Sequence, residues 1–262
     1  MEPILLRKDT KNISVLTLNS PKNLNALSES MLDALKEAFL KIGKLKKVKV
    51  VILRANGNAF CAGHDLKEMQ KHRGKKDGGK HYYEDLLSRC TYVMKLIREL
   101  PQPVIAEVQG VAAAAGCQLV ATCDIAVASE EATFGVNGVN IGLFCSTPMV
   151  ALSRNINRKK TFEMLTTGDF LDPFQAKEFG LVNKVLNCQD LSGGAMEIAE
   201  KIASKLSRAV KIGKEAFYKQ AEMEIEDAYR YTSSVMVENL LYNETVKGIN
   251  AFLEKKPQPQ FD

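Results

Sequence analysis

The stretch that most constrains the fold runs from Pro103 to Asp124, PVIAEVQGVAAAAGCQLVATCD, where a small-residue turn stands between a buried strand and a helix start. Residues 103–108 form a short apolar run rich in Val and Ile, and Gly110 ends it, so they read as a buried strand. Residues 110–116 are almost all Gly or Ala, which lets backbone N–H groups come close to a ligand. A helix beginning at Ala115 would aim its unpaired N–H groups and positive dipole end at the same point. The guest that suits such a turn is an oxygen that carries or develops negative charge.

A second unit of this kind lies upstream. Residues 49–54 (KVVILR) read as another buried strand, followed by ANGNAFCAGHDLKEM, a small-residue loop that ends in a polar, helix-compatible segment. Two strand-to-turn units can each supply one N–H to a single oxyanion.

Around these units the chain alternates strand and helix patterns, which argues an α/β core. Residues 13–18 read as a strand. Residues 28–43 read as an amphipathic helix capped by Ser28, with Met31, Leu32, Leu35, Phe39 and Ile42 at helical spacing. Residues 69–80 carry Gly74, Gly78 and Gly79 among charges and are expected to form a loop, with a lid as one role for it, before a helix over 82–100. A short strand is expected at 124–128, helices at 158–168 and 173–180, and a strand at 181–186. From Leu191 onward only helical patterns follow, so a core over residues 1–190 and a helical subdomain over 191–262 are expected.

Composition narrows the function classes. At 262 residues, 45% hydrophobic and 26% charged, the chain can bury a substantial core. It lacks an apolar run near the roughly 20 residues of a membrane span, and its six scattered cysteines include no CxxC pair, so a cytoplasmic protein with reduced thiols is expected. His64, His72 and His81 lack ligand spacing, so no metal is expected. Lysines cluster at 41–49 and at 71–80 without interleaved aromatics, which reads as solvated surface rather than a nucleic-acid face.

The segments PKNLNALSESMLDALKEAF, AFCAGHDLKEM, PVIAEVQGVAAAAGCQLVATCDIAVAS, ATFGVNGVNIGL, FEMLTTGDFLDPFQAKEFGLVNKVL and KGINAFLEKKPQP occur in this order. Through them the chain resembles, over essentially its whole length, the crotonase or enoyl-CoA hydratase/isomerase family. The resemblance implies a spiral of strand–strand–helix repeats with a C-terminal helical subdomain that builds trimers or dimers of trimers. It implies an acyl-CoA thioester as ligand, with coenzyme A part of the substrate and no separate cofactor.

Carried over residue by residue, the resemblance makes the backbone N–H groups of His64 and Ala115 the oxyanion donors. It lays the CoA arm along Lys22, Asn23 and Leu24 and then His64, Asp65, Leu66 and Lys67, and it brings Lys255 and Lys256 to the CoA phosphates. Two departures stand out. Gln118 and Gly138 occupy the places where hydratases of the family carry their glutamates, and neither can serve as a general base. A third place used by some relatives falls on Ser146, beside Cys145. The resulting readings are an enolate-stabilising enoyl-CoA hydratase-like protein, a catalytically silent acyl-CoA binder, or a thioester hydrolase or isomerase using Cys145, Ser146 or His64. Gln118 is read as orienting a water or the acyl group, and Glu107 as a strand residue able to face either side.

Overall fold

The computed structural model describes residues 2–257 and 259; Met1, Gln258 and 260–262, which end the two expected segments, lie outside it. Its strands are dealt alternately to two sheets, and this alternation places the small-residue turns. After the antiparallel hairpin of β1 (Leu5–Thr10) and β2 (Ile13–Leu18), each repeat gives one strand to a six-stranded sheet and the next to a four-stranded sheet. The repeats are β3 (Val50–Ala55) with β4 (Ala59–Cys61), β5 (Val104–Val108) with β6 (Val111–Ala113), and β7 (Ile125–Ser129) with β8 (Thr133–Gly135). β9 (Phe170–Leu171) adds antiparallel to β8, and β10 (Lys184–Leu186) adds parallel to β7. The large sheet therefore runs β1-β2-β3-β5-β7-β10 and the small one β4-β6-β8-β9. This is the expected spiral of strand–strand–helix repeats.

Period-two alternation gives the large sheet two different faces. Leu16, Leu18, Val51 and Leu53 enter the main core, while Ile13, Val15, Val50 and Ile52 enter a second core on the other face. Helix α1 (Glu29–Gly43) buries Met31, Leu32, Leu35, Phe39 and Ile42 in the main core, each worth about 1.5–3 kcal/mol. Ser28 caps it by accepting the Met31 N–H at 3.2 Å. α1 packs on α3 (Lys80–Glu99), which also contacts α2 (Leu66–His72) and α4 (Ala115–Thr122); the short α5 (Pro148–Leu152), α6 (Arg158–Thr167) and α7 (Pro173–Glu178) follow in the chain. Next come α8 (Leu191–Ala203), α9 (Ser207–Gln220), α10 (Ile225–Leu240) and α11 (Asn243–Leu253).

Two expectations need correction. Residues 69–72 are helical, because Asp65 caps α2 by accepting the N–H groups of Lys67 and Glu68 and the helix runs on to His72 before the glycines take over. The strand expected at 181–186 is confined to its last three residues, since Leu181 and Val182 turn back to Ala176. Helix α8 lies on the sheet: Leu191, Ala195 and Ala199 close the second core against Ile105 and Val127. Beyond it, α10 packs on α9 and α11 on α10.

Candidate active site

The two small-residue turns meet because their strands pair. β4 and β6 are parallel, with Ala59 opposite Val111 and Cys61 opposite Ala112, so the chain leaves both strands on the same side. Two glycines allow the approach. A Cβ on Gly116 would overlap the Cys61 carbonyl oxygen. A Cβ on Gly63, whose φ is +95°, would stand 3.1 Å from Ala113 O and 3.3 Å from Ala115 N. Ala115 opens α4, so its N–H has no partner within the helix. Among the turn and loop hydrogen bonds of the described residues, neither His64 N nor Ala115 N donates to a backbone carbonyl.

Ala114, between β6 and α4, holds φ 48° and ψ −117°, a conformation that L-residues avoid. Its N–H donates to Gly135 O at 2.8 Å and its carbonyl accepts from Gln118 N at 3.0 Å, which fixes the strained residue from both sides. Strain of this kind costs about 1–3 kcal/mol and persists where surrounding bonds over-determine it.

The segment expected to hold the CoA arm docks beside the first turn. Pro21–Asn23 form a single 3-10 turn, Leu24 and Asn25 adopt φ 50° and 51°, and Ala62 N donates to Leu24 O at 3.0 Å while Leu27 N donates to Gly63 O at 2.7 Å. Residues 22–24 and 64–67 are therefore neighbours. Sequence reasoning missed the side chain that holds them. Asn25 is fully buried, accepts the Ser20 N–H at 2.8 Å and donates to Asn56 O and Ala59 O, each at 2.8 Å. Its place in NLNA, with the left-handed backbone that asparagine tolerates, was the available signal. Asn25→Ala is expected to lower unfolding stability by about 2–4 kcal/mol in urea titrations, since three bonds of about 1 kcal/mol are lost and their buried partners orphaned.

The remaining expected residues fall into place unevenly. Gln118 is 6% exposed in a helix that is buried throughout, and its Oε1 is sealed without a partner. At position 138 a Cβ would overlap Leu143 O and stand 2.8 Å from Cys145 Sγ, so the Cys145 thiol fills the space beside Gly138. Burial raises the Cys145 thiol, against a smaller lowering by the Gly138 backbone, and pushes Cys117 up to about 12 with a further contribution from Cys145. Thiols held protonated in this way are poor nucleophiles. Ser146 is exposed, its Oγ donating to Phe144 O at 3.4 Å. Glu107 is engaged elsewhere, accepting Ser192 Oγ of α8 at 2.5 Å. Lys255 and Lys256 lie just beyond α11, Lys256 paired with Glu254 at 2.6 Å, and no hydrogen bond or ion pair among the described residues links them to 22–24 or 64–67. The His64 imidazole has turned inward: both ring nitrogens are sealed from solvent without a hydrogen-bond partner, and burial lowers its pKa against a smaller opposite effect of the Leu27 carbonyl.

Paired strand ends thus bring the two turns together, with a buried helix behind them and with the His64 and Ala115 N–H groups outside the turn and loop hydrogen bonds of the described residues. Comparison with known proteins identifies the family. The profile of the family described as Enoyl-CoA hydratase/isomerase matches residues 8–262. The chain belongs to this family, the crotonases. Within it, the chain is similar to the enoyl-CoA hydratase domain-containing protein 3 subfamily. The Xenopus laevis member, named mitochondrial, is 42% identical over 254 residues, covering 97% of this chain and 85% of its own. The crystal structure of human enoyl-CoA hydratase domain-containing protein 3 superposes with a TM-score of 0.93 at 42% identity, covering 98% and 99% of the two chains. That of an enoyl-CoA hydratase from Mycobacterium smegmatis gives a TM-score of 0.95 at 50% identity, covering 99% of each. The expectation of a cytoplasmic protein is overturned, because relatives from frog, human and mouse are all named mitochondrial.

Proposed function

We propose that the chain binds an acyl-CoA thioester with its carbonyl oxygen between the N–H groups of His64 and Ala115, and that it stabilises the enolate formed there without two-carboxylate hydration. The observation that supports this reading is the meeting of the two turns at Gly63 and Ala115 with both N–H groups left unpaired in the turn and loop bonds. One such donor is worth about 3–4 kcal/mol to a developing oxyanion. The CoA arm would run along Lys22, Asn23, Leu24, Asp65, Leu66 and Lys67, which the loop bonds bring side by side. Coenzyme A enters as part of the substrate, and no separate cofactor is invoked.

Assembly into trimers is part of the proposal. Helices α10 and α11 and the turn between them carry Tyr229, Met236, Val237, Leu241, Phe252 and Leu253 exposed, more apolar surface than a free helix pair usually shows to water. A crevice of about 890 Å³ lined by Arg98, Tyr218, Tyr231 and Glu238 separates this arm from α3. A second copy seated there would bring Lys255 and Lys256 to a neighbour's ligand. The names of the relatives favour mitochondria as the compartment.

Calorimetric titration with crotonyl-CoA and acetyl-CoA, with loss of enoyl absorbance followed in the same samples, tests the reading. Binding is expected, with hydration weaker by about 10²- to 10⁴-fold than a carboxylate pair supports. Absence of binding to either thioester would sink it.

A further inference from the structure

We propose that the cleft between α8 and α9 binds a medium-chain fatty acid, its alkyl chain laid along the apolar walls and its carboxylate held by Lys201 and Lys205. This site stands apart from the two small-residue turns and does not rest on the thioester reading. The cleft measures about 530 Å³ and opens beside Pro103 and Asp124, the residues before β5 and β7. Among the described residues, none of 22–24, 62–67 or 113–118 lines it.

The cleft exists because the second core ends unfinished. Ile125 and Ile202 pack against that core but stay half-buried. Helix α9, which crosses this end, buries only Lys214 and Ala216. Its Val210 is half-buried and its Phe217 is 63% exposed. These four apolar side chains wall the cleft, and its volume falls in the range of small-molecule sites. An alkyl chain laid there displaces water from their surface.

Gly213 is an independent sign of an occupant. It lies in the interior of α9, where glycine weakens a helix relative to alanine. Neither usual reason for a glycine applies. Its φ lies outside the left-handed region, and a Cβ there would meet nothing within 4 Å beyond its own helix backbone. The missing side chain instead leaves the wall of the cleft open.

Charge selects the head group. Lys201, in the last turn of α8, and Lys205, just beyond it, are exposed and line the cleft from the α8 side. Neither ammonium has an ion-pair partner among the described residues. Asp124 also borders the cleft, but its carboxylate is taken, accepting the Lys214 ammonium at 2.7 Å and the Tyr218 hydroxyl at 2.8 Å. Lys214 neutralises Asp124, so the charge left over is that of Lys201 and Lys205. Apolar walls with uncompensated cations on one side match an aliphatic carboxylate and reject an alkylammonium.

Calorimetric titration of the whole chain with decanoate, octanoate and decylamine tests the proposal, with analytical ultracentrifugation at the same protein concentrations. Decanoate is expected to bind more tightly than octanoate by about two- to fourfold per methylene. Decylamine is expected to bind at least about tenfold more weakly than decanoate. Gly213→Leu fills the cleft with a good helix former, so it is expected to be at least as stable as the parent and to lose about tenfold or more in decanoate affinity. Lys201→Glu with Lys205→Glu, both exposed, is expected to weaken decanoate by about tenfold as well. No decanoate binding by the parent, decylamine binding as tight as decanoate, or parent-like affinity in either variant overturns the inference. Self-association abolished by Gly213→Leu, in a parent that takes up no decanoate, would give the cleft to a second copy and overturn it too. If Gly213→Leu does not fold, the lysine variant decides.

Discussion

Replacing Gln118 and Gly138 together by glutamate is expected to give a less stable protein that still fails to hydrate crotonyl-CoA. Sequence alone suggests the opposite, since the two positions stand where hydratases of the family carry carboxylates. The backbone explains the difference. Leu143 N donates to Gly138 O at 2.9 Å, and Gly142, with φ +75°, donates to Val139 O at 3.1 Å, so residues 138–143 fold back on themselves. This return puts the Leu143 carbonyl and the Cys145 thiol where a Cβ on residue 138 would stand. A glutamate there must open the turn, at about 2–4 kcal/mol for overpacking against backbone. The second carboxyl, at 118, enters a helix buried throughout, where desolvation favours its neutral form. Denaturant midpoints are expected to fall mainly with Gly138→Glu, and enoyl absorbance to change by less than about tenfold, against the 10²- to 10⁴-fold of a working pair. A well-folded double variant gaining a hundredfold in hydration would show that the turn opens freely.

Lys214→Met is expected to cost about 3–5 kcal/mol of unfolding stability, the largest loss from any change far from the site. The Lys214 ammonium, on α9, donates to Ile97 O at 2.8 Å, to Gln102 O at 3.0 Å and to Asp124 Oδ2 at 2.7 Å, and the residue is only 9% exposed. Asp124 also accepts the Val104 N–H at 2.6 Å and the Tyr218 hydroxyl at 2.8 Å. One carboxylate thus joins α9 to the start of β5 at the residue before β7, and one ammonium joins α9 to the end of α3. Burial lowers the lysine pKa, while Asp124 pulls it the other way. Removing the cation strands a part-buried carboxylate. Removing both charges, as Lys214→Met with Asp124→Leu, is expected to recover part of the loss, because a buried pair gains little over apolar residues of similar size. Urea titration of the two variants checks this, and a double variant less stable than Lys214→Met would argue against it.

Local features of the fold were legible where one residue type decides them. The strand at 13–18 and the Ser28-capped helix follow from alternation and capping, and α4 starts at Ala115 as the Gly/Ala turn requires. Features that depend on contacts between distant segments were not legible. Helix α8 shows an amphipathic pattern like that of the later helices, and only the apolar second face of the sheet assigns it to the core. The glycine-rich 73–79 segment masked the last turn of α2, although Asp65 was in place to start it. The two N–H groups proposed as oxyanion donors are readable because backbone groups need only small neighbours. By contrast, the thiol of Cys145 against Gly138 and the inward turn of His64 arise from a folded-back loop and a bridge to Leu27, which spacing does not report.

The cysteines illustrate how burial sorts chemically identical groups. Cys61, Cys90, Cys117, Cys123 and Cys145 are buried, and Cys188 is exposed. A thiol reagent in solution therefore meets one target at once and the other five only when the molecule opens. Cys61 and Cys117 sit on the strand and helix that shape the two small-residue turns, so the rate at which they are labelled times the opening of that region, and Cys188 supplies the reference for reagent reactivity in the same tube.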